Sequence, residues 1–176
     1  MTVAKLKNVG ISCEFIAEQA RVYIAETRYT KKLNPQDKLL LNDSDQALIM
    51  NRQLEVDTVM STVTGPEVIV VSDSSPLNSL LYMTDEFRSQ DQIKALTARA
   101  IGATDLIFYA MPIRGIDLLD PNRIHDEAES VKIDLKIVPI LKQMAPTILA
   151  RIIPLTGNPD NCLDTVFGAI VRRKFS

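Results

Sequence analysis

Val68, Ile69, Val70 and Val71 form an unbroken β-branched run, followed at once by Ser72, Asp73, Ser74, Ser75 and Pro76. Branching at Cβ stiffens these side chains and favours a strand, and an apolar run without alternation suits a strand covered on both faces. The polar residues supply a turn, and proline is favoured at the first position of a helix. Strand, turn and helix in that order are the repeating unit of parallel α/β architecture. In such folds, sites gather beyond the carboxyl ends of the strands.

Other segments extend the pattern. Residues 105–111 form an apolar run stopped by Pro112 and predict a second buried strand. Val131, Ile133, Leu135 and Ile137 alternate with Lys132, Asp134 and Lys136, which predicts a strand with one wet face near an edge. Residues 147–153 predict a further strand, ended by Pro154. Val56, Thr58, Met60 and Thr62 alternate with Asp57, Val59, Ser61 and Val63. Residues 55–63 are therefore read as strand, entered either from a helix that runs through Leu54 and turns near Glu55 or by a hairpin across Asn51 and Arg52.

Helices are expected between these strands. Within residues 12–30, Cys13, Ile16, Ala20, Tyr23, Ile24 and Thr27 recur at helical spacing, with Ser12 as the N-cap. Asn34, Pro35 and Asp37 signal another start, and Asn42, Asp43, Ser44 and Asp45 cut that helix short. Residues 85–101 carry the strongest amphipathic pattern, with Gly102 placed for a left-handed C-cap. Asn158, Pro159 and Asp160 open the last helix, and Cys162, Leu163, Val166, Phe167, Ile170 and Val171 line one face of it. The expected fold is a single α/β domain over residues 1–176, with residues 12–42 as a helical preface. Its sheet is mixed, mainly parallel, of four or five strands covered by helices. The rival is a mostly helical domain with residues 105–116 and 131–155 as buried helices.

Charge and composition narrow the partners. With a net charge of −2 and interspersed signs, the chain has no field to steer nucleic acid or an acidic membrane surface onto it. Arg172, Arg173 and Lys174 suit the negative end of a helix dipole. No apolar run approaches the roughly 18 residues of a membrane span, and the first residues lack a signal-peptide core. Cys13 and Cys162 form no C-x-x-C motif and read as small apolar residues of a reduced, cytoplasmic protein.

Two segments share the form of apolar strand, polar turn and proline-started helix. If both strands run parallel in one sheet, both turns open on one edge. Ser72, Asp73, Ser74 and Ser75 from one turn, and Thr156, Gly157 and Asn158 from the other, would then line it. Arg114, after the second strand, could clamp an anion there. Helix N-termini suit a phosphate or carboxylate, so the ligand expected is a small phosphorylated or carboxylated anion. The same polar residues are also what helix caps and turns require.

Val70, Val71, Ser72, Asp73, Ser74, Ser75, Pro76 and Leu77 also resemble the first strand and turn of the PIN-domain nucleases. That resemblance implies a metal-dependent nuclease with Asp73 among the carboxylates holding a divalent cation. Here 67 residues precede the strand, whereas in that family it opens the domain. Asp105, Asp117 and Asp120 are the remaining candidate acids.

His125, the only histidine, stands among charged neighbours and reads as a surface residue; with two distant cysteines it does not make a zinc ligand set. No G-x-S-x-G elbow supports a serine nucleophile. No cofactor and no metal ligand set is indicated. The reading that best fits this poverty of catalytic motifs is a non-catalytic binding or assembly protein. It would self-associate, or hold a protein partner, through apolar surface on its first or last helix.

Overall fold

The computed structural model describes residues 2–34, 37, 39–110, 127–156 and 158–175. Its helices are α1 (Thr2–Asn8), α2 (Gln19–Thr30), α3 (Asp43–Thr64), α4 (Asp85–Arg88), α5 (Asp91–Ala103), α6 (Glu127–Asp134), α7 (Ile137–Met144) and α8 (Pro159–Phe175). Two 3₁₀ segments, Pro76–Tyr82 and Pro146–Arg151, complete the helical set. The strands are β1 (Cys13–Ile16), β2 (Ile69–Ser72), β3 (Ile107–Ala110) and β4 (Ile152–Leu155).

These strands make two separate parallel pairs. β1 lies beside β2, Cys13 opposite Ile69 and Ile16 opposite Ser72. β3 lies beside β4, Ile107 opposite Ile152 and Ala110 opposite Leu155. The α/β class and the parallel sense are as expected, but the single sheet of four or five strands is instead two half-sheets of two.

Side-chain alternation assigns each face. Ile69, Val71, Phe108 and Leu155 pack with Leu6, Cys13, Val166 and Ile170, so α1 and α8 cover one side of both half-sheets. Ile107 and Ile152 point the other way, into a larger core. That core gathers Met50 and Leu54 of α3, Leu77 and Leu80 of the first 3₁₀ segment, Ile93 of α5, and Ile140 and Leu141 of α7.

Several local expectations are corrected. Residues 55–63 belong to a continuous helix: α3 buries Gln46, Ile49, Met50, Gln53 and Leu54, spaced by three and four residues. In its β-branched second half Thr58, Thr62 and Thr64 satisfy their hydroxyls within the helix by donating to carbonyls four residues back. Asn42 and Asp45 start this helix as a capping box rather than interrupting one: the Asp45 amide donates to Asn42 Oδ1 at 3.0 Å, and the Asn42 amide to Asp45 Oδ2 at 2.9 Å. Gly65, at φ 79°, takes a conformation that side-chain-bearing residues avoid and turns the chain toward β2.

The expected helix over residues 12–30 splits, because Cys13–Ile16 leaves it to pair with β2. The helical preface of residues 12–42 therefore contains a strand. Residues 85–101 divide into α4 and α5 at Ser89 and Gln90, and Gly102 lies inside α5 rather than capping it. The alternating residues 131–137 are the end of α6, a turn at Leu135 and Lys136, and the start of α7, not a strand: Ile133 and Ile137 pack with Ile140, Leu141 and Met144 against the larger core. In residues 147–153, the first part is 3₁₀ and the strand begins at Ile152, running through Pro154. An edge strand tolerates that proline, since only one side of β4 is paired. The valine-rich run is half-buried rather than fully covered. Among the described residues no helix is long and apolar enough to cross a membrane.

Candidate functional site

The half-buried state of β2 has a geometric cause. Its second edge, and that of β3, open onto one cleft of about 1160 Å³. Every residue of both strands lines it, from Ile69 to Ser72 and from Ile107 to Ala110. The ion pairs at one end fix the relative direction of the strands. Lys174 of α8 pairs with Glu67, two residues before β2, and Arg173 pairs with Asp105, two residues before β3. Both amino ends therefore meet the C-terminus of α8, and both carboxyl ends open at the other end of the cleft.

At that carboxyl end α3 and β2 build a polar node. Gln53 is buried and receives the backbone amide of Gln19 on its Oε1 at 2.9 Å. Its Nε2 donates to Ser72 Oγ at 2.9 Å and to Asp57 Oδ1 at 3.0 Å. Ser72 Oγ lies 3.1 Å from the same Asp57 oxygen and donates toward it. Burial raises the Asp57 pKa above its ordinary value, and the hydrogen bonds from Gln53 and Ser72 pull partly against that rise. Across the cleft the Tyr109 hydroxyl donates to Asp134 at the end of α6. Desolvation, followed by that carboxylate, pushes the phenol up to about 12.

The expected site residues divide into groups. Ser72, Asp73, Ser74 and Ser75 all line the cleft. Ser75 Oγ also accepts the Leu77 amide at 3.3 Å, and Ser74 Oγ accepts from Asn78 at 3.0 Å, so both support the turn itself. Asp73 is exposed, and its amide extends the ladder to Ile16. Thr156 and Asn158 are exposed and are not among the cleft's lining residues; Asn158 caps α8 by accepting the Asn161 amide at 2.9 Å. Arg114, Gly157, His125, Asp117 and Asp120 lie outside the described residues. Among the described residues, no three His, Cys, Asp or Glu side chains stand close enough to hold a metal ion. Cys13 and Cys162 are both free thiols.

Sequence reading missed Gln53, Asp57 and the pairing of Tyr109 with Asp134. A helical assignment of residues 46–64 would have exposed the first two, which share one face as an i, i+4 pair. The apolar face of the last helix is not available to a partner, because Val166, Ala169 and Ile170 are buried inside.

Comparison with protein-family models, curated proteins and solved structures finds no match. The PIN-type turn therefore rests on its own few residues.

Proposed function

We propose that this is a non-catalytic binding or assembly protein that works through the cleft between β2 and β3, and that the occupant is polypeptide. The observation that carries this reading is that every residue of β2 and of β3, each paired along one edge only, lines the same cleft. Strand edges carry rows of backbone donors and acceptors, which are a template for another chain. A built catalytic constellation would converge several acids, a nucleophile or a metal set on one point; the described residues converge hydrogen-bonding and apolar groups.

Hydrogen exchange on the purified protein, with and without a permanently unfolded polypeptide, tests this. The added chain should slow exchange in β2 and β3 and leave α5 unchanged. Inorganic phosphate, added separately, should do neither.

A second reading is favoured by the node of Gln53, Ser72 and Asp57. It is a small polar ligand seated at the carboxyl end, with phosphorylated and carboxylated molecules as the class expected from the serine turn. Phosphate or a nucleotide raising the melting temperature, with protection confined to residues 72–75, would replace the polypeptide reading with this one.

A further inference from the structure

We propose that another polypeptide donates an extended apolar segment to the cleft, where it pairs in parallel with β2 and β3 at once. The inference rests on the polypeptide reading of the cleft and adds the conformation, direction and composition of the occupant.

Four features of the fold point to a strand rather than to a coil or a helix. The first is backbone orientation. The Ile69 amide donates to Ser12 and the Asp73 amide to Ile16, so these face β1. Successive amides along a strand alternate between its two edges, which leaves the amides of Val70 and Ser72 directed into the cleft. The second is direction, since both walls start at the C-terminus of α8 and run the same way. A single added strand parallel to one wall is therefore parallel to the other.

The third feature is composition. The added segment would lie between the layer carrying Val166 and Ile170 on one side and the layer carrying Ile133, Ile137 and Leu141 on the other. Away from the polar groups at the carboxyl end both layers are apolar, so both faces of the occupant are apolar there, as in the interior of a parallel sheet. The fourth is size. A strand residue inside a covered sheet takes up roughly 160 Å³, from about 3.3 Å of rise, 4.8 Å of lateral spacing and 10 Å between layers. A cleft of about 1160 Å³ thus has ample room for a strand that matches the four residues of each wall. Filling it would join the half-sheets into one parallel sheet with the donated strand at its centre.

The probe is a synthetic peptide of alternating valine and isoleucine between paired lysines, added to the whole chain. Two further versions carry N-methyl groups on alternate amides, one set at odd positions and one at even. In a central strand, one set of amides faces β2 and the other faces β3. The unmodified peptide should bind and slow exchange in both strands, and each methylated version should bind at least tenfold more weakly. Val70→Pro removes a cleft-directed donor of β2 without touching the ladder to β1, and it should weaken the unmodified peptide similarly. The methylated peptides keep the test decisive if that variant does not fold.

Equal binding of all three peptides would overturn the strand proposal while leaving a polypeptide-binding cleft. Protection of β2 and β3 that rises with protein concentration alone would also overturn it, by giving the cleft to a second copy. Failure of every polypeptide, including the unfolded one, to slow exchange in either strand would remove both readings.

Discussion

The two sides of the split sheet are built to different standards. On the side of α3, α5 and α7, twelve buried residues among those described form one continuous cluster, and Met50, Leu80, Ile93 and Ile148 within it have no exposed surface at all. On the side of α1 and α8 the cluster holds four buried residues, and two of those, Val166 and Ile170, keep 8% exposure. The α3 side is therefore the part of the molecule that can stand as a core, while the α8 side is a cover laid across two short strand pairs. The cleft runs between the same two layers. A binding position walled by one firm layer and one thin one can change its width by moving the thin one.

The largest expected effect breaks the firm side. Leu80 is wholly buried there, and Leu80→Ala should cost about 2–5 kcal/mol in chemical denaturation. The loss should appear equally whichever strand pair is followed. Arg88 comes next. It is buried and donates to the carbonyl oxygens of Leu80 and Met83 while pairing with the exposed Asp85. Arg88→Met keeps the stem but leaves those carbonyls without this donor, at about 1–3 kcal/mol for each one left unsatisfied. Asp85→Ala, which removes only the exposed partner, should cost far less.

The thin side should respond differently. Ile170→Val should cost about 0.5–1.5 kcal/mol, and its signature should be local. Exchange in α1 and α8 should quicken while α3 and α5 stay protected. Uniform quickening across all helices would show that the two layers unfold as one unit and would erase the contrast.

The contrast also explains what could be read from sequence. The last helix was legible because its signals are local: Asn158 caps it, Pro159 opens it, and one apolar face runs through Val166 and Ile170. The valine-rich strand and the strand after Asp105 were legible because their runs are unbroken and bounded by turns or proline. Elsewhere, tertiary context overrode pattern. Residues 13–16 sit at helical spacing with Ala20, Tyr23 and Ile24, yet they find a partner 56 positions away at Ile69 and become a strand. Residues 131–137 alternate, yet only Ile133 and Ile137 are needed against the core, while Leu135 is left 72% exposed. The candidate site was half legible. The serine turn does line the cleft, but Asp57 lay in the segment read as strand with Gln53 just ahead of it, and the separation of the half-sheets has no local signature at all.

The smallest expected effect concerns the firm side's two titrating groups, which meet the cleft from opposite walls. Burial raises the Asp57 carboxyl above its ordinary value of 3.8, so the folded state holds that proton more tightly than the unfolded chain does. The associated stability is fully present below the ordinary value and is lost as pH rises through the raised one. Asp57→Asn removes the titration while keeping a side-chain oxygen for Gln53 and Ser72. The variant should therefore gain on the native protein as pH rises through that window, and the two should converge in acid; a gap that widened in acid would contradict the assignment. Tyr109 carries the same sign in a different window, its phenol raised from 10 to about 12. The stability held by its neutral form is intact below pH 10 and is lost as the pH climbs through about 12, a loss that Tyr109→Phe should abolish. A donated strand that excluded water from the cleft would deepen the desolvation of both groups. The two groups should then titrate at still higher pH when the valine–isoleucine peptide is bound, and following the carboxyl and the phenol spectroscopically in the folded protein gives a readout of occupancy separate from unfolding.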